Sequence, residues 1–129
     1  ILASKGFSVS MANEKNIQAI DYLGITSGNK VADKFSKSGL TAIQSEFVNA
    51  PLVQELPLAL ECKFISYDEE SELLLGEIVN VSADESALEE NGKLSMEKLA
   101  PVCYDPAGHG YYLLGKRVGN AFSDGKSLQ

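Results

Sequence analysis

The stretch from Leu58 to Ala83 constrains this chain more than any other. Residues 58–67 (LALECKFISY) alternate, so that Leu58, Leu60, Cys62 and Phe64 face one way and Glu61 and Lys63 the other. That period of two predicts a strand, because successive strand side chains point to opposite faces. An acidic turn, Asp68 to Glu72, comes next, and residues 73–83 (LLLGEIVNVSA) give a second strand of similar length. The pair reads as an antiparallel hairpin. Gly76, inside the second strand, marks a bulge or a close backbone approach.

Shorter elements surround the hairpin. Residues 7–12 (FSVSMA) alternate with Phe7, Val9 and Met11 on one face and predict a short strand. Asn13 caps a helix running to about Leu23, with Ile17, Ile20 and Leu23 on one side and Gly24 as its left-handed terminator. Ser27–Lys30 is a polar turn, and residues 31–38 (VADKFSKS) predict a two-turn helix ended by Gly39. Residues 41–48 alternate weakly as an edge strand, broken by Asn49-Ala50-Pro51. A short helix is expected from Asp84 to Glu90 and one more turn behind Ser95, stopped by Pro101. Val102–Tyr104 and Tyr111–Val118 read as strands around a breaker-rich loop, with a turn and tail from Gly119. Five or six strands joined by hairpins and irregular connections favour a mainly β fold, an antiparallel barrel or sandwich with peripheral helices, over a doubly wound parallel sheet.

The 129 residues suit one domain with a real core. A net charge of -7 argues against nucleic acid and against an anionic membrane surface. No segment carries the run of about 20 apolar residues that spans a bilayer, and no signal peptide is seen, so a cytoplasmic protein is expected. Cys62 and Cys103, the two cysteines, are expected as reduced thiols, at least partly buried; the sequence leaves a bridge between them open. With one histidine, His109, and no CxxC pair, a zinc site lacks ligands. The sequon Asn80-Val81-Ser82 lies in a predicted strand and is read as chance. Asp84, Glu85, Glu89 and Glu90 read as a solvated acidic rim. Neither GxGxxG nor a Walker A element occurs, so a Rossmann-type nucleotide site is unsupported.

Four stretches, in order, carry a family likeness: FSVSMANEKN (7–16), SGNKVADKF with KSGL (27–40), VNAPLVQELPLALECKFIS through LLLGEIVNVSADE (48–85), and YDPAGHGYYLLGKRVGNAF (104–122). Together they resemble the flavin reductase-like family, which includes flavoredoxin-type proteins. The resemblance implies an antiparallel Greek-key split β-barrel of the FMN-binding type, usually a homodimer with FMN near the subunit interface. It implies hydride transfer from NAD(P)H to flavin, with a non-catalytic electron carrier or a ligand-free barrel as alternatives. Family domains carry further strands before the first of these stretches, around the FMN phosphate. Residues 1–129, which begin at Ile1 without Met, are therefore read as one such domain, N-terminally incomplete.

The resemblance also names candidate residues. The segment matching Ser27–Phe35 lies along the flavin in the family, which makes Asn29, Lys30, Val31, Asp33, Lys34 and Phe35 cofactor-binding candidates. A helix start there would offer free N–H groups and a positive dipole end to a phosphate. The competing reading is a solvated surface helix anchored by Val31 and Phe35. Related short-chain flavin reductases carry a glycine–histidine element near the nicotinamide, which makes His109 and Tyr111 nicotinamide-proximal candidates. The acidic residue often found between that glycine and histidine is absent here. Phe122 falls where the family's C-terminal segment approaches the flavin or the partner subunit; its alternative is burial near the chain end. No catalytic acid or base is expected, since hydride transfer between two cofactors asks the protein for stacking and exclusion of water.

Overall fold

The structure, a computed structural model, describes residues 1–128. The long hairpin is present as β4 (Leu58–Asp68) and β5 (Leu73–Ala83). The first strand, β1 (Gly6–Ser10), pairs antiparallel with β4, giving the sheet order β1-β4-β5. Register shifts between Glu61 and Cys62 and between Phe64 and Ser66 interrupt the β4–β5 ladder, so the pair twists. Gly76 is the close approach that its position implied. A Cβ there would sit 2.6 Å from a ring carbon of Phe7 and 3.2 Å from the Lys63 carbonyl.

Two three-residue strands, β2 (Ala42–Gln44) and β3 (Pro51–Val53), form a separate antiparallel pair. Sequence reasoning expected one strand over 41–48 and a break at Pro51. Pro51 instead opens β3, where its missing N–H costs little at the first position of an edge strand. The third pair is β6 (Val102–Asp105) with β7 (Gly110–Leu113). The strand expected to reach Val118 ends at Leu113, because β6 offers partners only up to Val102; one further bond joins the Leu114 N–H to the Pro101 carbonyl.

Three short α-helices lie among the described residues. The Asn13 side chain accepts from the Asn16 N–H and caps a 3₁₀ turn that leads into α1 (Ile17–Ile25). The helix runs through Gly24 to Ile25, with Thr26 as its extended C-cap, so Gly24 is not the terminator. α2 (Lys34–Lys37) is one turn long, where two turns from Val31 were expected. α3 (Met96–Leu99) is capped by Ser95, whose hydroxyl accepts from the Lys98 N–H, and ends on left-handed Ala100 before Pro101. In place of the helix expected over 84–90, a 3₁₀ turn spans Glu85–Ala87. No helix among the described residues is long and apolar enough to cross a membrane.

One face of the sheet β1-β4-β5 is a polar interior. Loop 45–50 covers the face that carries Ser8, Glu61, Asn80 and Ser82, and buries Glu61 to 1% exposure. The opposite face carries the apolar set, and its Val9, Ile78 and Val81 are exposed. Cys62 is buried on that face, and burial pushes its thiol above the ordinary value. Cys103 is exposed, contrary to expectation: among the described residues β6 pairs only with β7, and the two middle residues of β6 stay open. Both thiols are free.

Candidate functional site

The corner after α1 is set by a tight turn. The Ser27 carbonyl accepts from the backbone N–H groups of Lys30 and Val31, at 3.1 and 3.0 Å. These amides are therefore occupied, and α2 starts only at Lys34, so the corner lacks the free helix start that the sequence implied. The reason is local. Only Val31 and Phe35 share an apolar face, too little to offset the cost of nucleating two turns.

Lys34 points back into the protein. Its ammonium donates to the carbonyls of Leu23 and Thr26 at 3.0 and 2.9 Å, where α1 presents unpaired acceptors and a negative dipole end. Asp33 pairs with Lys37 at 3.0 Å on the surface, and the hydrogen bond from that lysine holds its carboxyl below the usual range. Val31 and Phe35 are half-buried. Asn29 and Lys30 are exposed and make no side-chain hydrogen bond among the described residues, so an amide and a cation remain available at the corner. A groove of about 440 Å³ runs between α1 and the end of α2, but Lys15, Tyr22, Lys37 and Ser38 line it rather than the expected residues.

The second group lies on β6–β7. Tyr104 and Tyr111 are directly paired across the two strands, with ring centroids 5.5 Å apart. The Tyr104 hydroxyl and His109 Nδ1 are 3.0 Å apart. His109 holds φ at 51°, a left-handed turn that swings its ring back toward Tyr104. The Tyr111 hydroxyl donates to Asp21 Oδ1 at 2.8 Å, so the hairpin is tied to α1. That bond, reinforced by burial and by the nearby Asp21 charge, raises the Tyr111 phenol above its ordinary value.

Both expected groups are therefore attached to α1, one at its C-terminal end and one through Asp21. Sequence reasoning missed Tyr104 and Asp21. The spacing of Tyr104 and Tyr111 about the DPAGHG turn could have indicated the first; no local signal marks the second. Phe122 is neither buried nor brought to the others: the residue is 97% exposed, on a backbone with φ of 63°.

Comparisons with known proteins place this geometry. The profile of the "Flavin reductase like domain" matches residues 1–109. A protein of Aquifex aeolicus is 30% identical over 104 residues, covering 79% of this chain; the chain spans about half, 53%, of that relative's length. Among solved structures, the flavoredoxin of Desulfovibrio vulgaris (Miyazaki F) is 38% identical with a TM-score of 0.90, over 98% of this chain and 68% of its own. The flavoredoxin from Methanosarcina acetivorans is 28% identical with a TM-score of 0.88, over 100% of this chain and 68% of its own. An FMN-binding domain of a flavin reductase-like enzyme from Shewanella baltica, at 19% identity and TM-score 0.79 over 91% of this chain and 64% of its own, shares the fold. The fold is thus the antiparallel split barrel of flavin reductase-like proteins, mainly β with short helices.

Proposed function

The chain belongs to the flavin reductase-like domain family, and from that premise we propose that it binds FMN and serves as a flavin-dependent oxidoreductase taking hydride from NAD(P)H. The observation that carries this reading is the family match across residues 1–109, joined to flavoredoxin likeness over 98% of the chain. We place residues 1–129 in one domain and the protein in the cytoplasm.

In this reading the corner after α1 meets the cofactor. Lys30 supplies a cation for the phosphate and Asn29 an amide for a directed hydrogen bond. Val31 and Phe35 give the apolar wall that a planar ring requires. Lys34 holds the corner in place through the carbonyls of Leu23 and Thr26. The Asp33–Lys37 pair stiffens the single turn of α2. His109 and Tyr111 border the nicotinamide, with Tyr104 and Asp21 orienting them. When bound, the flavin supplies the two-electron chemistry; the chain's own task is to bind, orient and exclude water. Phe122 is assigned to the flavin or to a partner subunit. The exposed apolar face of β1-β4-β5 favours a homodimer, since open apolar surface and free strand edges invite covering.

The test is direct. Protein mixed with FMN and freed of excess should retain a visible flavin spectrum and oxidise NADH or NADPH in its presence. No retained flavin overturns the reading. A second reading, a non-catalytic electron carrier, is favoured by the names of the two flavoredoxin neighbours. Retained flavin without nicotinamide turnover would select it.

A further inference from the structure

A pocket of about 220 Å³ opens where four segments of the chain meet, on residues other than those of the α1 corner. Two backbone bonds give it two walls. The Asp84 N–H donates to the Pro57 carbonyl at 2.9 Å and joins segment 54–57 to segment 84–86. The Glu14 N–H donates to the Ala100 carbonyl at 3.2 Å and joins segment 13–15 to the end of α3. Asn16 Nδ2 ties the two walls together by donating to the Glu55 carbonyl at 3.0 Å.

The walls differ in charge. The first carries the carboxylates of Glu55 and Asp84, the second the ammonium groups of Lys15 and Lys98. No ion pair joins the two walls among the described residues. Lys98 is engaged by the Leu88 carbonyl and by Glu89, whereas Lys15 has no partner among the described residues. A backbone N–H holds each carboxylate at one oxygen: that of Thr41 at Glu55 Oε2 and that of Ser86 at Asp84 Oδ1, both at 2.9 Å.

Buried Asn13 separates this pocket from a chance meeting of surface charges. It lines the pocket at 5% exposure. Its Oδ1 accepts from the N–H and from Nδ2 of Asn16, at 3.2 and 2.9 Å, so the oxygen faces Asn16 and the NH₂ is turned the other way. That Nδ2 donates to nothing among the described residues. It is not sealed in either, since the one sealed side-chain atom without a partner is Ser10 Oγ. A nearly buried donor with no protein acceptor calls for an acceptor in the pocket.

We propose that this pocket binds the zwitterion of a single small amino acid. Its carboxylate accepts from Asn13 Nδ2 and Lys15, and its ammonium donates to Glu55 and Asp84. A lone anion would meet two carboxylates and a lone cation two lysines, so only a ligand carrying both charges suits both walls. Pro57 and Leu99 add apolar lining for a short side chain. The volume lies below the roughly 300–1,000 Å³ of clefts for drug-sized ligands, which limits the occupant to one amino acid. The site is independent of the flavin reading and lies on different residues.

The experiment is an amide NMR titration of the full chain, without FMN, using L-alanine as probe. Acetate and methylammonium, each carrying one of its charges, serve as controls at constant ionic strength. Saturable shifts should centre on residues 13–15, 54–55 and 84–86 and on the Asn13 side-chain NH₂. L-alanine should bind about tenfold tighter than either control, and Lys15→Met and Glu55→Gln should each remove most of that factor, whereas Lys126→Met changes nothing. Asn13→Asp keeps an oxygen to cap the turn but removes the NH₂, so it should abolish binding while the spectrum stays folded. Binding unchanged in Asn13→Asp overturns the proposal, as does a control that binds as well as L-alanine. So do absence of saturation and shifts centred on Gln18, Tyr22 and Lys37 in the adjoining groove, which Lys15 also lines.

Discussion

Replacing Glu61 tests how this sheet is held together. The carboxylate sits in the middle of the central strand at 1% exposure and accepts three side-chain hydrogen bonds. Asn80 Nδ2 and the Ser82 hydroxyl reach Oε1 at 2.7 and 2.5 Å, and the Ser45 hydroxyl reaches Oε2. No lysine or arginine forms an ion pair with it among the described residues. In Glu61→Gln the amide oxygen still serves Asn80 and Ser82, but an NH₂ now faces Ser45. That hydroxyl already accepts from Phe47 and Val48, so its own proton loses its acceptor. The cost of one buried unpaired donor is about 1–3 kcal/mol. Glu61→Ala strands three donors and opens a void, for about 3–5 kcal/mol.

The assay is urea unfolding followed by far-UV circular dichroism, at neutral pH and again on acidification. Burial alone would raise the Glu61 pKa, but the bonds from Ser45, Ser82 and Asn80 outweigh it and hold the carboxyl below its ordinary value. A folded-state pKa below the unfolded one gives stability that is present above the unfolded pKa and lost as pH falls through the folded pKa. The wild-type advantage over Glu61→Gln should therefore be complete at neutral pH. It should shrink once the pH drops below the unfolded value of about 4.3. A Gln variant within about 0.5 kcal/mol of wild type refutes the reasoning. So does a wild-type advantage that does not change with pH.

Three further outcomes are expected. Gly76→Ala drives a Cβ into the Phe7 ring and should destabilise by about 1–3 kcal/mol, with Phe7→Leu recovering part of the loss in a double-mutant cycle. Lys30→Met should weaken FMN retention about tenfold with little change in stability, while Lys34→Met should cost about 1 kcal/mol of stability by uncapping α1; equal effects of the two on both readouts would remove Lys30 from the phosphate site. In a spectrophotometric titration, one tyrosine should ionise above the ordinary value of about 10, and Asp21→Asn should return it; because the folded pKa is the raised one, the stabilising contribution is present at neutral pH and lost at alkaline pH.

What the sequence made legible was backbone, and the reason is range. The alternation of 58–67 and the acidic turn after it are local facts, and β4 and β5 follow them to within a residue. Asn13 and Ser95 are read as caps because a cap bonds only two or three residues away. Gly24 misleads because the end of α1 is closed by Lys34 reaching across eleven residues to the Leu23 carbonyl, a contact that no local rule contains. Glu61 is a further case. Alternation sets it on the face opposite the apolar set, and nothing local shows that loop 45–50 covers that face or that Asn80 and Ser82 meet it across a bulged ladder. His109 and Tyr111 are legible as candidates from their glycine-rich setting, whereas their orientation depends on Tyr104 across a strand pair and on Asp21 ninety residues from Tyr111. The buried polar network and the candidate site therefore share a physical character. Each is a set of long-range hydrogen bonds between residues that look ordinary one at a time, so each is found by asking where a buried polar atom's partner comes from rather than by reading the chain in order.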